Sequence, residues 1–253
     1  KIQTRDHTEL MFKKFGIQVS IEESEGLKEI HVLPPKSMDA TDINIPGDFS
    51  SAAFLILAAL ITPGSDLTLM NIGINKTRIA LLEVLIEMGA DIKLSNVIHE
   101  YEHCADISIR ASELKGITLN PKLVPNLIDE MPVLFIAAAL AEGTTRIRGA
   151  EELRFKESDR LELMAKTLNL FGVKHKIFED GIDIKGVDKS EKDLPFNSGE
   201  IDSFGDHRIA MASIIGALRS KGSCKVKNCS NISTSFPGFI NLSNRIGITL
   251  EKV

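Results

Sequence analysis

Apolar and polar positions alternate with two different periods along the chain, and the difference sorts its elements into inside and outside. Ala52 to Leu60, Val133 to Leu140 and Ile209 to Ile215 are apolar on nearly every position. Helices of that kind belong in a protein interior. A second helical pattern, seen in Arg160-Leu161-Glu162-Leu163-Met164-Ala165-Lys166, is amphipathic. Ile107-Ser108-Ile109-Arg110 and Ile182-Asp183-Ile184-Lys185 alternate strictly, as strands with one wet face do. Buried helices with sheets outside predict an inverted, inside-out α/β architecture.

The pattern repeats. Gly16, Gly89, Gly172 and Gly247 each follow an amphipathic helical run and precede a short strand-like run. Their intervals, by subtraction, are 73, 83 and 75 residues. A glycine there reads as the left-handed residue that closes a helix. Gly64, Gly143 and Gly222 likewise follow the apolar helices, and Asp48, Asp129 and Asp206 open them. Each unit therefore reads helix, strand, helix, strand, and three units run from about Pro46 to Val253. Residues 1–44 match only the last half of a unit, which predicts earlier units upstream. Lys1-Ile2-Gln3-Thr4-Arg5 has neither a signal-peptide pattern nor an initiator Met, consistent with a fragment or a processed product.

Composition narrows the classes. The 253 residues are 43% hydrophobic and 26% charged, enough apolar content for a sizeable core. A net charge of -5 lacks the clustered basic excess of a nucleic-acid binder. The longest apolar runs cover about ten residues, half of what a bilayer requires. Three cysteines, Cys104, Cys224 and Cys229, make no disulfide scaffold and favour a reducing compartment, the cytoplasm.

Candidate chemistry gathers at helix starts: Asn126-Leu127-Ile128-Asp129-Glu130, Arg154-Phe155-Lys156-Glu157-Ser158-Asp159-Arg160 and Gly205-Asp206-His207-Arg208. Taken singly, Asp48, Asp129, Asp159 and Asp206 read as ordinary caps. Lys156, Arg160 and Arg208 are different, because cations oppose the positive end of a helix dipole. Their recurrence predicts an anionic ligand at a rim where the helix ends converge. His99-Glu100-Tyr101-Glu102-His103 matches the zinc-protease pattern, but that chemistry needs both histidines on one helix face. Here the motif lies between two strand-like runs and reads as a hairpin loop, so no metal is expected. His31 and His175 lie in strand-like runs and read as structural.

The same clusters resemble the 5-enolpyruvylshikimate-3-phosphate (EPSP) synthase family over the whole chain. The matching segments are Thr4-Arg5-Asp6-His7-Thr8-Glu9, Pro46-Gly47-Asp48-Phe49-Ser50-Ser51-Ala52, Leu127-Ile128-Asp129-Glu130, Leu153 to Arg160, Asp206-His207-Arg208-Ile209-Ala210-Met211 and Thr234-Ser235-Phe236-Pro237. Lys-Glu-Ser-Asp-Arg followed by Asp-His-Arg is the specific signature. The resemblance implies an enolpyruvyl transferase-like inverted α/β fold of two domains, with residues 1–44 ending the first and 45–253 making most of the second. It implies transfer of the enolpyruvyl group of phosphoenolpyruvate to the 5-hydroxyl of shikimate 3-phosphate, in aromatic amino acid biosynthesis, without metal or cofactor.

By resemblance, Asp129 takes or orients the hydroxyl proton, and Glu157 and Lys156 serve proton transfer, Lys156 also touching the shikimate ligand. Arg160 and Arg208 clamp phosphoenolpyruvate, His207 lies beside them, and Arg5 sits near the shikimate phosphate. The family's N-terminal shikimate-gripping motifs are not in this sequence, so these residues alone are expected to show no turnover. Thr234 stands where many members have a lysine. Two other readings remain at this stage. One is the related UDP-N-acetylglucosamine enolpyruvyl transferase; the other is a non-catalytic anion-binding module.

Overall fold

The computed structural model describes residues 5–38, 40–187 and 193–252. In chain order its first elements are helix α1 (His7–Lys14) and the hairpin β1 (Val19–Ser24) and β2 (Leu27–Val32). Glu25 and Gly26 join the strands, both with positive φ, as a two-residue hairpin turn requires. No residue of α1 is buried, and both strands are mostly exposed. This helix and hairpin correspond to the later half of a unit, as the sequence pattern predicts.

The first full unit comprises α2 (Phe49–Ile61), β3 (Asp66–Gly73), α3 (Ala80–Glu87), β4 (Asp91–His99) and β5 (His103–Arg110). The second comprises α4 (Met131–Leu140), β6 (Thr144–Ile147), α5 (Arg160–Leu170), β7 (His175–Phe178) and β8 (Gly181–Lys185). Their sheets share one topology: β3-β5-β4 in the first and β6-β8-β7 in the second, antiparallel throughout. The unit thus ends in a hairpin rather than in one strand.

The third unit departs from the pattern. Its apolar helix α6 (His207–Ala217) is followed by β10 (Lys225–Lys227), which pairs in parallel with β9 (Glu200–Asp202), a strand the sequence pattern does not single out. Helices α7 (Ile232–Ser235) and α8 (Phe239–Arg245) follow. The strand expected after Gly247 is not formed, and residues 248–252 carry no regular structure. A strand needs a hydrogen-bonded partner strand, and here the Leu250 N–H and carbonyl bond the Asn244 side chain at 2.8 and 3.2 Å instead, while Ile248 buries its side chain in the core. Gly222 also differs from the other two apolar-helix glycines, because α6 ends five residues earlier and Gly222 has no positive φ.

The four amphipathic-helix glycines close their helices identically. Gly16, Gly89, Gly172 and Gly247 all have positive φ. In each case the following N–H reaches five residues back: Ile17 to Phe12, Ala90 to Leu85, Val173 to Leu168 and Ile248 to Ser243, at 2.8 to 3.0 Å. This is the Schellman closure, in which a side chain at the glycine would be strained.

The interior is helical. Twelve residues of α2 and nine of α4 are buried, and α2, α4 and α6 pack against one another. The sheets flank this trio with one face outward, as the alternation in β3 shows. No helix among the described residues is long and apolar enough to cross a membrane.

Candidate active site

Because α2, α4 and α6 pack side by side, their N-termini come together, and residues from all three units meet there. Asp48, Asp159 and Asp206 are the caps their positions predict, accepting N–H bonds from Ser51, Glu162, and both Arg208 and Ile209. Asp129 is not a cap. It sits in the turn between a 3-10 turn at Pro121–Asn126 and α4, whose capping position is Glu130, and its side chain is turned to cations instead.

Those cations come from far along the chain. Arg5 donates to Asp129 Oδ2. Arg160 Nη1 lies 3.8 Å from Oδ1, and Arg208 Nη2 lies 3.7 Å from Oδ2. Arg208 Nη1 also donates to the Asp129 backbone carbonyl at 2.9 Å. Burial pushes the Asp129 pKa up, but Arg208, Arg5 and Lys156 outweigh it, so the carboxyl stays below the usual aspartate range. Asp129 is an ionised carboxylate at neutral pH, and its side chain keeps 17% of its exposure.

Arg160 opens α5, and its side chain is 1% exposed. A cation so buried must be paired. Its Nε donates to Asp206 Oδ2 at 2.9 Å, and its Nη2 donates to Glu157. Ser158 Oγ bonds the same Asp206 oxygen at 2.9 Å, while Oδ1 holds the first turn of α6. Burial raises the Asp206 pKa, and the Arg160 charge with these hydrogen bonds reverses that into a net lowering. Asp206 thus couples the cap of α6 to the position of Arg160.

The loop carrying Lys156 and Glu157 is fixed from behind by Arg154. That side chain donates to Asp159 Oδ2 at 3.0 Å, to the Phe178 carbonyl at 3.0 Å and to the Glu179 carbonyl at 3.1 Å. Lys156 pairs with Glu152. Desolvation first, and then Arg208, hold the His207 imidazole below the ordinary histidine pKa, so it is neutral near pH 7.

Asp129, Lys156, Glu157, Arg160, His207, Arg208 and Arg5 therefore share one rim. Thr4 of the first matching segment lies outside the described residues. Thr234 bonds the Asn231 carbonyl at 2.8 Å, so its position supplies no charge. Sequence reasoning did not assign roles to three nearby residues. Glu130, almost fully buried, accepts from Ser50 Oγ, and Ser50 Oγ receives Arg78 Nη2 at 2.6 Å. Ser50 and Glu130 lie in the quoted motifs, but no spacing rule signals a bond between residues 80 positions apart.

His99 and His103 face each other across the β4–β5 hairpin, with rings 4.9 Å apart. That is not the one-face helical arrangement of a zinc protease. Among the described residues, no group of three His, Cys, Asp or Glu could hold a metal ion. Protein equilibrated with zinc and desalted should retain far less than one equivalent. One bound equivalent that disappears in His103→Ala would reinstate a metal site.

A family model described as EPSP synthase (3-phosphoshikimate 1-carboxyvinyltransferase) matches residues 3–242. A 3-phosphoshikimate 1-carboxyvinyltransferase of Legionella pneumophila is 44% identical over 98% of this chain and 55% of its own length. One of Halorhodospira halophila is 45% identical over 98% of the chain and 54% of its own length. A solved EPSP synthase from Acinetobacter baumannii superposes with a TM-score of 0.92 at 45% identity, covering 98% of this chain and 56% of that one. The enolpyruvyl transferase NikO from Streptomyces tendae, 17% identical over 94% of this chain and 51% of its own, shares the fold with a TM-score of 0.69. The chain spans about half the length of the relatives it matches.

Proposed function

This chain belongs to the EPSP synthase family, and from that premise we propose that it forms the phosphoenolpyruvate-binding half of an enzyme transferring an enolpyruvyl group to shikimate 3-phosphate. Residues 1–44 would end one domain and 45–253 would make most of the next. The reaction belongs to the protein at its relatives' full length, in the shikimate route to aromatic amino acids. Three free thiols suit a cytoplasmic setting.

The single observation that carries this reading is the convergence of Arg5, Arg160 and Arg208 on the Asp129 carboxylate. Two anionic substrates need cations held in place before they arrive; Arg5 and Arg160 are bonded to protein carboxylates, and Arg208 to the Asp129 backbone carbonyl. The 5-hydroxyl oxygen of the acceptor attacks C2 of phosphoenolpyruvate while its proton passes to Asp129. A proton delivered by Lys156 or Glu157 converts the methylene to a methyl group. Elimination returns a methyl proton to the protein and expels phosphate, regenerating the double bond. Arg160 and Arg208 bind the carboxylate and phosphate of phosphoenolpyruvate, Arg5 lies towards the phosphate of the acceptor, and neutral His207 adjoins the leaving group.

The test is phosphate release from phosphoenolpyruvate with either acceptor. The full-length protein should turn over shikimate 3-phosphate and leave UDP-N-acetylglucosamine untouched. These 253 residues alone should show no turnover. Phosphoenolpyruvate binding with no reaction in the full-length protein would instead mark an anion-binding module.

A further inference from the structure

We propose that Glu130 is a positioning residue for the anion clamp: it fixes the guanidinium of Arg208 from beneath, so that the outer edge of Arg208 faces phosphoenolpyruvate. The inference rests on the reading of Arg208 as a phosphoenolpyruvate ligand.

Glu130 is 2% exposed, and a carboxyl group so sealed is costly unless it is bonded or paired. Its Oε1 accepts from Ser50 Oγ at the start of α2 and lies 3.7 Å from Arg208 Nη1. The same Nη1 donates to the Asp129 carbonyl. One guanidinium nitrogen is thus hydrogen-bonded to one residue of the turn and within ion-pair distance of the next. The other, Nη2, stands 3.7 Å from the Asp129 carboxylate, an ion-pair contact beyond hydrogen-bond range like that of Glu130, but without the backbone carbonyl bond that Nη1 makes. That edge is where a ligand oxygen can bond.

The arrangement parallels that of Arg160. Asp206 anchors Arg160 through Nε, and Glu130 backs Arg208 through Nη1. Each proposed clamp arginine therefore has its own buried acid. The Glu130 contacts also cross all three units: Ser50 and Arg78 from the first, Glu130 from the second, Arg208 from the third. Ser50 keeps Glu130 turned inward, and Arg78 keeps Ser50 in place. Burial raises the Glu130 pKa, against the Ser50 hydrogen bond and the charges of Arg208 and Arg78, while Asp129 adds to the rise.

Steady-state kinetics of the full-length protein test this. Glu130→Gln keeps the shape and replaces the carboxyl group by an amide. It should raise KM for phosphoenolpyruvate about 10-fold and change KM for shikimate 3-phosphate less than about twofold, with an unaltered melting temperature. In an Arg208→Lys background the same substitution should add almost nothing, because the partner it acts through is gone. An equal rise in both KM values, or full additivity with Arg208→Lys, would show a merely structural role and overturn the proposal. Should Glu130→Gln fail to fold, Ser50→Ala decides. It should raise KM for phosphoenolpyruvate about threefold, and an unchanged value sinks the idea. A wild-type protein inert towards both substrates would refute the functional reading; a wild-type protein that turns over beside an unaffected Glu130→Gln variant would refute only this one.

Discussion

Asp129→Ala in the full-length protein should lower turnover about 10³-fold, within the range for loss of a positioned general base, while leaving the fold intact. The expectation rests on how Asp129 is built into the rim. Its side chain makes no cap bond, so its removal takes no hydrogen bond from α4. The neighbouring arginines keep other partners: Arg160 retains Asp206 and Glu157, and Arg208 retains the backbone carbonyl of residue 129. The carboxylate is ionised and partly exposed, so it can accept a hydroxyl proton, while the surrounding cations lower its basicity and hold its position. Phosphate release measured beside far-ultraviolet circular dichroism separates the outcomes. Near-normal turnover removes Asp129 from the mechanism. A collapsed spectrum makes its role structural.

Asp206→Ala should act in the opposite sense, on stability before chemistry. It leaves Arg160, 1% exposed, without its buried carboxylate partner, Glu157 being mostly exposed, and strips the cap from α6. Breaking a buried pair by removing one partner costs about 3–5 kcal/mol, and loss of a cap adds about 1 kcal/mol. Denaturant titration should show a loss of that order. The pH dependence follows from the lowered Asp206 pKa. A carboxyl group whose folded pKa is depressed contributes stability that is fully present above its unfolded value of about 3.9 and is lost as the pH falls through the lower folded value. The variant should therefore show a shallower fall in stability below about pH 4 than the parent. An equally steep fall, or a midpoint unmoved at neutral pH, would mean that Arg160 finds another partner.

The fold was legible wherever the chain repeats a local rule. The Gly16, Gly89, Gly172 and Gly247 closures need a left-handed residue at a fixed place, and that need is written in single letters. The all-round apolar runs of α2 and α4 announced their burial in the same way. Pairing was less visible. Whether Ile248-Thr249-Leu250 forms a strand depends on a neighbour, not on its own alternation. The parallel partner of β10 is a three-residue strand too short to show a period. In the site, the cations that break the dipole rule stood out in sequence. Which acid holds which arginine did not, because Arg160 and Asp206 lie 46 positions apart and Arg208 and Asp129 lie 79 apart. Asp129 looked like a cap by its place before an apolar helix, and only the geometry shows it as the exception.

Those separations bear on the order in which the molecule takes shape. The hairpins β1–β2, β4–β5 and β7–β8 close over a few residues each, so they can form early and independently. The web of charges cannot. The links that join different units, Arg5–Asp129, Arg160–Asp206 and Arg208–Asp129, span 46 to 124 positions and form only once α2, α4 and α6 have docked. Until then only the local pairs at the start of α5 can form, and the surface shared by the three units does not exist. The ability to hold an anion is thus a late arrival in refolding, appearing with the last cooperative step rather than with secondary structure.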